Sequence, residues 1–213
     1  MTMEWILQIP PLFFSIIVHE FMHGYVAYRK GDDTAYLSGR LTLNPLPHID
    51  PVGTILLPAL AAFSHMPFIG WAKPVPVNPY RMNNPRYDMV WVAAAGPVSN
   101  LTLAFASAIL LKILIVSGLF HFSFFAPLLS MIAMMIYINI ALAFFNLIPV
   151  YPLDGSQIAL GLLPYRWLTV YERHIPYGFY IIIFLALTGL FKFIIVYPME
   201  MTLKVFSLMG LGF

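Results

Sequence analysis

Long apolar runs, broken by short polar segments, make up most of this chain. The first run extends from Trp5 to Tyr28, which is enough to cross a ~30 Å hydrocarbon core as a helix. Pro10 and Pro11 are expected to break or kink this helix near its start, and Arg29 marks its other end. Three further runs predict spanning helices: Met89–Gly118, Ala126–Leu147 and Ile175–Pro198. Together the runs predict an all-α polytopic membrane protein with about four to five transmembrane helices.

Three shorter segments predict other structures. Thr34–Leu43 alternates loosely between apolar and polar residues, which is typical of a short strand or small β-hairpin. Val52–Phe63 is apolar but short and contains Pro58, which favours a short re-entrant helix. If Ser64–Ala72 continued it, this segment would just span the membrane, so both interpretations stay open. Arg166–His174 is typical of an amphipathic stretch at the membrane interface.

Composition places the chain among membrane proteins. Hydrophobic residues make up 61% of it and charged residues 9%, against about 25% charged residues in average globular proteins. The lack of cysteine excludes disulfides, thiolate metal ligands and thiol nucleophiles. A net charge of +2 gives no reason to expect nucleic acid as a partner. Met1–Glu4 lacks the basic start of a signal peptide, so the first run is expected to be retained. We therefore expect residues 1–213 to form a single domain in the lipid bilayer of a plasma or inner membrane.

The sequence His19-Glu20-Phe21-Met22-His23 lies inside the first apolar run. Residues four apart share one face of a helix, so both imidazoles can point at one spot, where they suit Zn²⁺. Glu20 can then reach a water at such a metal and take its proton. The motif also arises by chance, but ionisable residues are costly at membrane depth and usually mark function. It therefore predicts a metal site for peptide hydrolysis.

A second polar group follows the predicted span that ends near Asn146. Prolines on the way to Asp154 and the glycine after it predict that the helix stops and the backbone turns. Unwound backbone at membrane depth is tolerated only when it is buried in protein or faces a cavity. Asp154 is therefore a candidate third zinc ligand, completing two histidines and a carboxylate. An Asp-Gly turn at a membrane surface is the alternative.

Three more polar residues are candidates for supporting roles. His48 and Asp50 could supply metal ligands or line a water path, although a turn with a capping aspartate before a helix explains them equally well. Asn100 follows Gly96 and Pro97 in a predicted span, where its amide can hydrogen-bond between helices. We expect these residues behind the metal ligands or along the route by which water arrives.

The distribution of basic residues bears on whether Asp154 can meet the two histidines. The connections on both sides of Val52–Phe63 are basic, whereas Phe120–Phe125 contains no lysine or arginine. By the positive-inside rule, both basic connections are cytoplasmic if Val52–Phe63 dips in and returns. Asp154 then reaches the cytoplasmic side at a depth similar to that of His23. A spanning segment at 52–72 would put Asp154 on the opposite side, so the metal hypothesis favours re-entry.

These motifs, in this order, resemble those of the site-2 protease family of intramembrane zinc metalloproteases, peptidase family M50. The resemblance rests on His19-Glu20-x-x-His23, on Gly96-Pro97-Val98-Ser99-Asn100, and on Asn146…Pro149…Pro152-Leu153-Asp154-Gly155. It implies one Zn²⁺ per chain, held by His19, His23 and Asp154, with Glu20 as the general base. It also places Asn146 near the scissile carbonyl, where its amide could stabilise the oxyanion. Unlike many relatives, the sequence shows no PDZ insertion and no C-terminal CBS module, and its compactness suggests a bacterial or archaeal source.

The resemblance implies hydrolysis of a peptide bond within or near a transmembrane segment of another membrane protein, single-pass or otherwise, near the cytosolic side. Such a substrate helix must unwind locally before attack, because its backbone groups are hydrogen-bonded internally. The hairpin predicted at Thr34–Leu43 would lie near the active site and offer an edge to the extended substrate.

Two other classes of function remain open. A small membrane transporter or channel for protons or divalent metal could place His19, Glu20, His23 and Asp154 along its conduction path. Internal inverted repeats would support a transporter, and the sequence shows none. A membrane scaffold without catalysis would not need Glu20.

Overall fold

The computed structural model describes residues 6–56, 72–118 and 123–212, and every regular element in these ranges is helical. The α-helices are α1 (Ile9–Arg29), α2 (Thr34–Leu37), α3 (Pro85–Val116), α4 (Ala126–Asn146), α5 (Asp154–Leu162), α6 (Tyr165–Glu172), α7 (Gly178–Leu187) and α8 (Tyr197–Phe206). Short 3₁₀ turns lie at Ile6–Gln8, Leu46–His48, Pro79–Arg81, Ser123–Phe125 and Ile175–Tyr177. Turns of π-helix lie at Pro51–Leu56, Lys192–Val196 and Ser207–Leu211.

Helix α3 lies at the centre of the fold and packs against α1, α4 and α5. Small residues on α3, such as Ala104 and Ala108, are fully buried and let α4 approach closely. Ile136 and Ile140 of α4 fill the other side of this contact and are also fully buried. The same apolar cluster includes Leu111, Ile132 and Phe206. This packing fixes α3 and α4 side by side, with α1 across both.

Three helical stretches within the described residues are long and apolar enough to cross a membrane: Pro85–Val116, Ser123–Asn146 and Lys192–Leu211. The chain is therefore a membrane protein. The predicted count of four to five spans is not confirmed, because length and composition give three spans in this part of the chain. The first predicted span corresponds to α1, which is 21 residues long and contains Pro10 and Pro11 in its first turn. Proline is tolerated there, so these residues begin the helix and do not interrupt it.

An ion pair between a half-buried lysine and a buried aspartate connects the end of α1 to the start of α3. Lys30 Nζ lies 3.0 Å from Asp88 Oδ1, and Asp88 Oδ2 accepts a hydrogen bond of 2.7 Å from the backbone N–H of Asn84. A carboxylate in the first turn of a helix also interacts favourably with the helix dipole. This contact fixes the position of α1 along the axis of α3. It thereby sets where His19 and His23 lie against α3.

The β-hairpin predicted at Thr34–Leu43 is wrong. Asp32 Oδ1 accepts hydrogen bonds from the backbone N–H and hydroxyl of Thr34, which starts the short helix α2. The backbone N–H groups of Arg40 and Leu41 then turn back to the carbonyl of Ala35. Local hydrogen bonds therefore fold residues 34–41 into a helical turn, and the segment forms no strand to which a substrate could pair.

The last predicted span is displaced along the sequence. Helix α7 ends at Leu187, and Gly189 has a φ of 73°, in the left-handed region that ends helices. The stretch that is long and apolar enough to cross a membrane begins only at Lys192. The apolar run Ile175–Pro198 is thus divided between two helical segments, because hydropathy alone does not register the break at Gly189.

The re-entrant prediction for Val52–Phe63 falls largely on residues 57–71, which lie outside the described part of the chain. The residues on either side of it are described and lie together. The backbone N–H of Lys73 donates a 2.9 Å hydrogen bond to the carbonyl of His48. The two flanks of this segment therefore sit at the same level of the fold.

Candidate metal centre

His19, His23 and Asp154 converge at one point between α1 and the start of α5. The Nε2 atoms of the two imidazoles are 2.9 Å apart. Asp154 Oδ2 lies 3.2 Å from His19 Nε2, and Asp154 Oδ1 lies 3.3 Å from His23 Nε2. Among the described residues this is the one group of three such side chains whose ligand atoms all lie within 4.8 Å of one another. His23 and Asp154, which are 131 positions apart in the sequence, thus meet at one point together with His19.

The outer nitrogens of both imidazoles have hydrogen-bond partners of their own. His19 Nδ1 lies 2.5 Å from Asn100 Oδ1, and His23 Nδ1 lies 2.7 Å from the carbonyl oxygen of Val92. Both partners are oxygens that accept, so each Nδ1 carries its proton and donates. Each Nε2 then presents a lone pair to the centre, which is how metal-binding histidines are usually oriented.

The carboxylate of Asp154 supports the same interpretation. Its Oδ2 is buried and has no hydrogen-bond donor among the residues that the structure describes, although an unpaired buried carboxylate oxygen is costly. The two Nε2 atoms that face this carboxylate present lone pairs, so they do not donate to it either. The ligand atoms are therefore an anionic oxygen and two imidazole nitrogens, a donor set that fits Zn²⁺ with a fourth position left open.

Gly96 makes the approach of the imidazoles to α3 possible. A Cβ atom at this position would lie 2.5 Å from His19 Cε1, 2.5 Å from His23 Nε2 and 2.6 Å from His19 Nε2. Real Cβ atoms essentially never make contacts this short. Both rings therefore occupy space that any other residue at position 96 would fill.

The loop between α4 and α5 places Asp154 at the first position of α5. Gly155 lies so close to this loop that a Cβ there would be 2.3 Å from the carbonyl oxygen of Leu147. The hydroxyl of Tyr171 donates a 2.7 Å hydrogen bond to the carbonyl of Pro149 and holds the loop from outside. At the other end of α5, the guanidinium of Arg86 donates to the carbonyls of Leu160 and Leu163. These contacts fix the carboxylate with respect to α3.

The two residues predicted to be catalytic lie near the metal-site ligands in sequence and engage other groups in this structure. Glu20 Oε2 accepts a 2.8 Å hydrogen bond from the backbone N–H of Val75. Asn146 Nδ2 donates a 2.9 Å hydrogen bond to the carbonyl of Leu142, one turn earlier in α4. Their catalytic roles stay predictions.

His48 and Asp50 lie outside the group of metal-site ligands. His48 is fully buried, and its Nε2 donates a 2.9 Å hydrogen bond to the carbonyl of Thr42. Asp50 Oδ1 accepts from the backbone N–H groups of Val52 and Gly53, which is the capping role considered as the alternative. A role of either residue along a water path stays a prediction.

Sequence reasoning missed two residues behind His19. Ser15 and Asn139 are fully buried and hydrogen-bonded to each other, and Asn139 also contacts Asn100. Ser15 stands four residues before His19, on the same helix face, and Asn139 is an amide in the interior of an apolar span. Such isolated polar residues at membrane depth are the signal that could have identified them.

Several known proteins are similar to this chain in sequence. The profile described as "Peptidase family M50" matches residues 113–189. A Bacillus subtilis protein named "Putative zinc metalloprotease YwhC" is 41% identical over 202 residues, covering 92% of this chain and 89% of that protein. "Putative zinc metalloprotease Rip2" of Mycolicibacterium smegmatis is 32% identical over 152 residues, covering 71% of this chain and 55% of that protein. No solved structure matches the chain. With the similarity to YwhC extending over nearly the whole of both proteins, the chain belongs to peptidase family M50.

Proposed function

We propose that this protein is an intramembrane zinc metalloprotease that hydrolyses a peptide bond within or near a transmembrane segment of another membrane protein. The observation that carries the proposal is the convergence of His19 Nε2, His23 Nε2 and the carboxylate of Asp154. The buried Oδ2 of this carboxylate has no hydrogen-bond donor in the described part of the chain. The name "Putative zinc metalloprotease", which the relatives YwhC and Rip2 carry, supports the same chemistry.

In this proposal His19, His23 and Asp154 hold one zinc ion per chain. A bound Zn²⁺ with an open position acts as a Lewis acid toward water and toward a peptide carbonyl. Asn100 and the carbonyl of Val92 keep the two imidazoles turned so that both Nε2 lone pairs point inward. Gly96 leaves room for both rings against α3.

Glu20 is the proposed general base. It follows His19 directly, so its side chain lies on the adjoining face of α1. We propose that its carboxylate serves the open side of the centre from there. It takes a proton from the attacking water and passes it to the nitrogen of the leaving amine. The hydrogen bond from the backbone N–H of Val75 to Oε2 orients this carboxylate between the two transfers.

Asn146 is the proposed donor to the oxyanion that forms as the scissile carbonyl is attacked. Its amide now donates to the carbonyl of Leu142 in its own helix. We propose that a rotation about its side-chain bonds exchanges that hydrogen bond for one to the substrate, where α4 ends and the loop that leads to Asp154 begins.

The position of the ligands in their helices supports proteolysis at membrane depth. His19 is midway between Ile9 and Arg29, the two ends of α1. Asn100, its partner, is 15 residues from the start of the 32-residue α3, which is about 22 Å along a helix of roughly 48 Å. Both α3 and α4 are apolar enough to span. The centre is therefore proposed to lie within the bilayer and not at its surface.

We propose that the centre opens toward the cytoplasmic side of the membrane. His23 is about 9 Å from Arg29 along α1, at ~1.5 Å per residue, and Lys30 follows at the same end. Arg81 and Arg86 lie at the adjoining start of α3, so this end of the bundle is the basic one. The hydrogen bond between His48 and Lys73 supports a topology in which both of these residues lie on one side of the membrane. Groups on opposite sides would be separated by about 30 Å.

Metal removal tests the proposed function directly. The purified full chain is reconstituted in liposomes with tagged single-span membrane proteins as substrates. We expect cleavage that stops when a zinc chelator strips the ion and returns when zinc is added back. Cleavage that continues in the stripped protein would contradict the metalloprotease assignment. Zinc or proton flux across the liposome membrane, without cleavage of any substrate, would favour the transporter.

A further inference from the structure

A group of buried polar side chains lies behind His19, on the side away from the proposed metal. Ser15 of α1, Asn100 of α3 and Asn139 of α4 are all fully buried. Buried amides are costly unless their donors and acceptors are paired, and these side chains pair with one another. They form a continuous chain of hydrogen bonds from α4 to the His19 ring.

The direction of this chain is set at its far end. Asn139 Nδ2 donates two hydrogen bonds, one of 2.8 Å to the carbonyl of Met135 and one of 2.7 Å to Ser15 Oγ. The Met135 carbonyl can only accept, and the Ser15 hydroxyl already donates its proton to the carbonyl of Pro11, at 2.7 Å. If the Asn139 amide were turned over, its oxygen would face two acceptors. The Oδ1 of Asn139 must therefore point the other way, toward α3.

Asn100 transmits this direction to His19. Its Nδ2 donates a 2.7 Å hydrogen bond to Asn139 Oδ1, so its own Oδ1 is left facing the imidazole. That oxygen lies 2.5 Å from His19 Nδ1 and accepts a hydrogen bond from its N–H. An imidazole with its proton on Nδ1 has a lone pair on Nε2, the nitrogen that faces Asp154.

We propose that Asn139 is a positioning residue that acts through Asn100 to keep the proton of His19 on Nδ1, so that Nε2 stays free to bind a metal. This inference rests on the proposed function, because it assigns His19 as a zinc ligand. The Met135 carbonyl and Ser15 fix the orientation of the Asn139 amide by accepting from it. Asn139 in turn connects them to Asn100.

Loss of this link leaves the Asn100 amide without its strong partner. Within the described ranges its nitrogen then keeps one partner, the carbonyl of Ser15 at 3.5 Å, so the amide can turn over. A turned amide presents N–H groups to His19, whose proton moves to Nε2 and points into the centre. Outer partners of metal-binding histidines contribute about 10–100-fold to metal affinity, which sets the size of the expected effect.

The test measures zinc affinity of the purified full chain by competition with a chelator. Asn139→Leu, which keeps the volume but removes both polar ends, should bind zinc about 10–100-fold more weakly. Asn139→Asp should bind nearly as well as the wild type. A buried carboxyl is neutral, accepts from Asn100 with one oxygen, and donates to the Met135 carbonyl through its hydroxyl. If the leucine variant does not fold, Asn139→Ala replaces it.

Two controls separate positioning from general loss of packing. Ile136→Val removes a methyl group from a fully buried residue one turn before Asn139, so it should lower the melting temperature and leave zinc affinity unchanged. Ser15→Ala should weaken binding only a few-fold, because the Met135 carbonyl still fixes the Asn139 amide.

A second measurement decides the inference even without zinc. In the metal-free protein, nitrogen-proton correlation spectra of labelled histidine should show a proton on His19 Nδ1 in the wild type and its loss or partial occupancy in Asn139→Leu. Zinc affinity of Asn139→Leu within twofold of the wild type, or an unchanged Nδ1 proton, would overturn the inference. If the wild type binds no zinc, the proposed metal site fails, and the Nδ1 comparison still supports or overturns the role of Asn139.

Discussion

The Glu20→Gln variant is expected to bind zinc as the wild type does and to cleave its substrate about 10²–10⁴ times more slowly. A glutamine keeps the size of the side chain and can still contact the backbone near Val75, but it cannot take a proton from water. Zinc content is measured on the purified protein, and cleavage is followed under single-turnover conditions in liposomes, so that product release does not hide the chemical step.

Glu172→Gln is the matched control, because it makes the same change at an exposed carboxylate at the end of α6. It should retain both zinc and activity. Cleavage by Glu20→Gln at the wild-type rate would exclude Glu20 as the general base. Loss of zinc from that variant would indicate that Glu20 is needed to form the centre and not to run the reaction.

The Gly96→Ala variant is expected to lose zinc binding, and with it all proteolysis. The added methyl group would lie 2.5 Å from both His19 Cε1 and His23 Nε2, so at least one ring must move out of the centre. Alanine is the better helix former by roughly 0.5–1 kcal/mol, so a weaker helix cannot explain the loss. Zinc per chain and the melting temperature are measured on the same sample.

Gly24→Ala is the control for crowding in general. It adds a methyl group one residue after His23, but that group meets the side chains of Val75, Ala35 and Leu41 and no imidazole. The nearest of these atoms is the end of the Val75 side chain, at 2.8 Å, so any local adjustment falls on this side chain and not on the imidazoles. Gly24→Ala should therefore keep its zinc. One zinc ion per chain in Gly96→Ala would show that the two imidazoles do not need the volume that a Cβ atom at position 96 would occupy.

The meeting of His19, His23 and Asp154 could be predicted from the sequence, because each step follows a simple rule. The helical period puts the two histidines on one face, and the alternation of spans with basic connections brings Asp154 to the same side. The structure places the three side chains together as expected. That they bind zinc stays a prediction.

Local hydrogen bonding explains where the fold was predicted wrongly. Loose alternation at Thr34–Leu43 favours a strand, but Asp32 starts a helix there by accepting from Thr34. At the other end of the chain, Gly189 divides an apolar run whose hydropathy is otherwise continuous. Side-chain capping and a positive φ act over a few residues, and a hydropathy pattern does not detect them.

Contacts between distant helices explain what was missed. Asn139 meets Asn100 and Ser15 only because α4, α3 and α1 pack at particular heights. Gly96 matters because two rings on another helix lie against it. The neighbouring residues in the sequence indicate neither the hydrogen bonds of Asn139 nor the space needed at Gly96. Sequence analysis therefore identifies the candidate metal ligands more readily than the residues that position them.

The most direct test of the proposed centre is the zinc content of the detergent-purified protein, measured for the wild type and for Asp154→Ala. The account predicts about one zinc per chain in the wild type, and little or none in the variant, which retains two imidazoles but lacks the anionic ligand. A folded wild type that binds no zinc, or an Asp154→Ala variant that binds as much as the wild type, would contradict it.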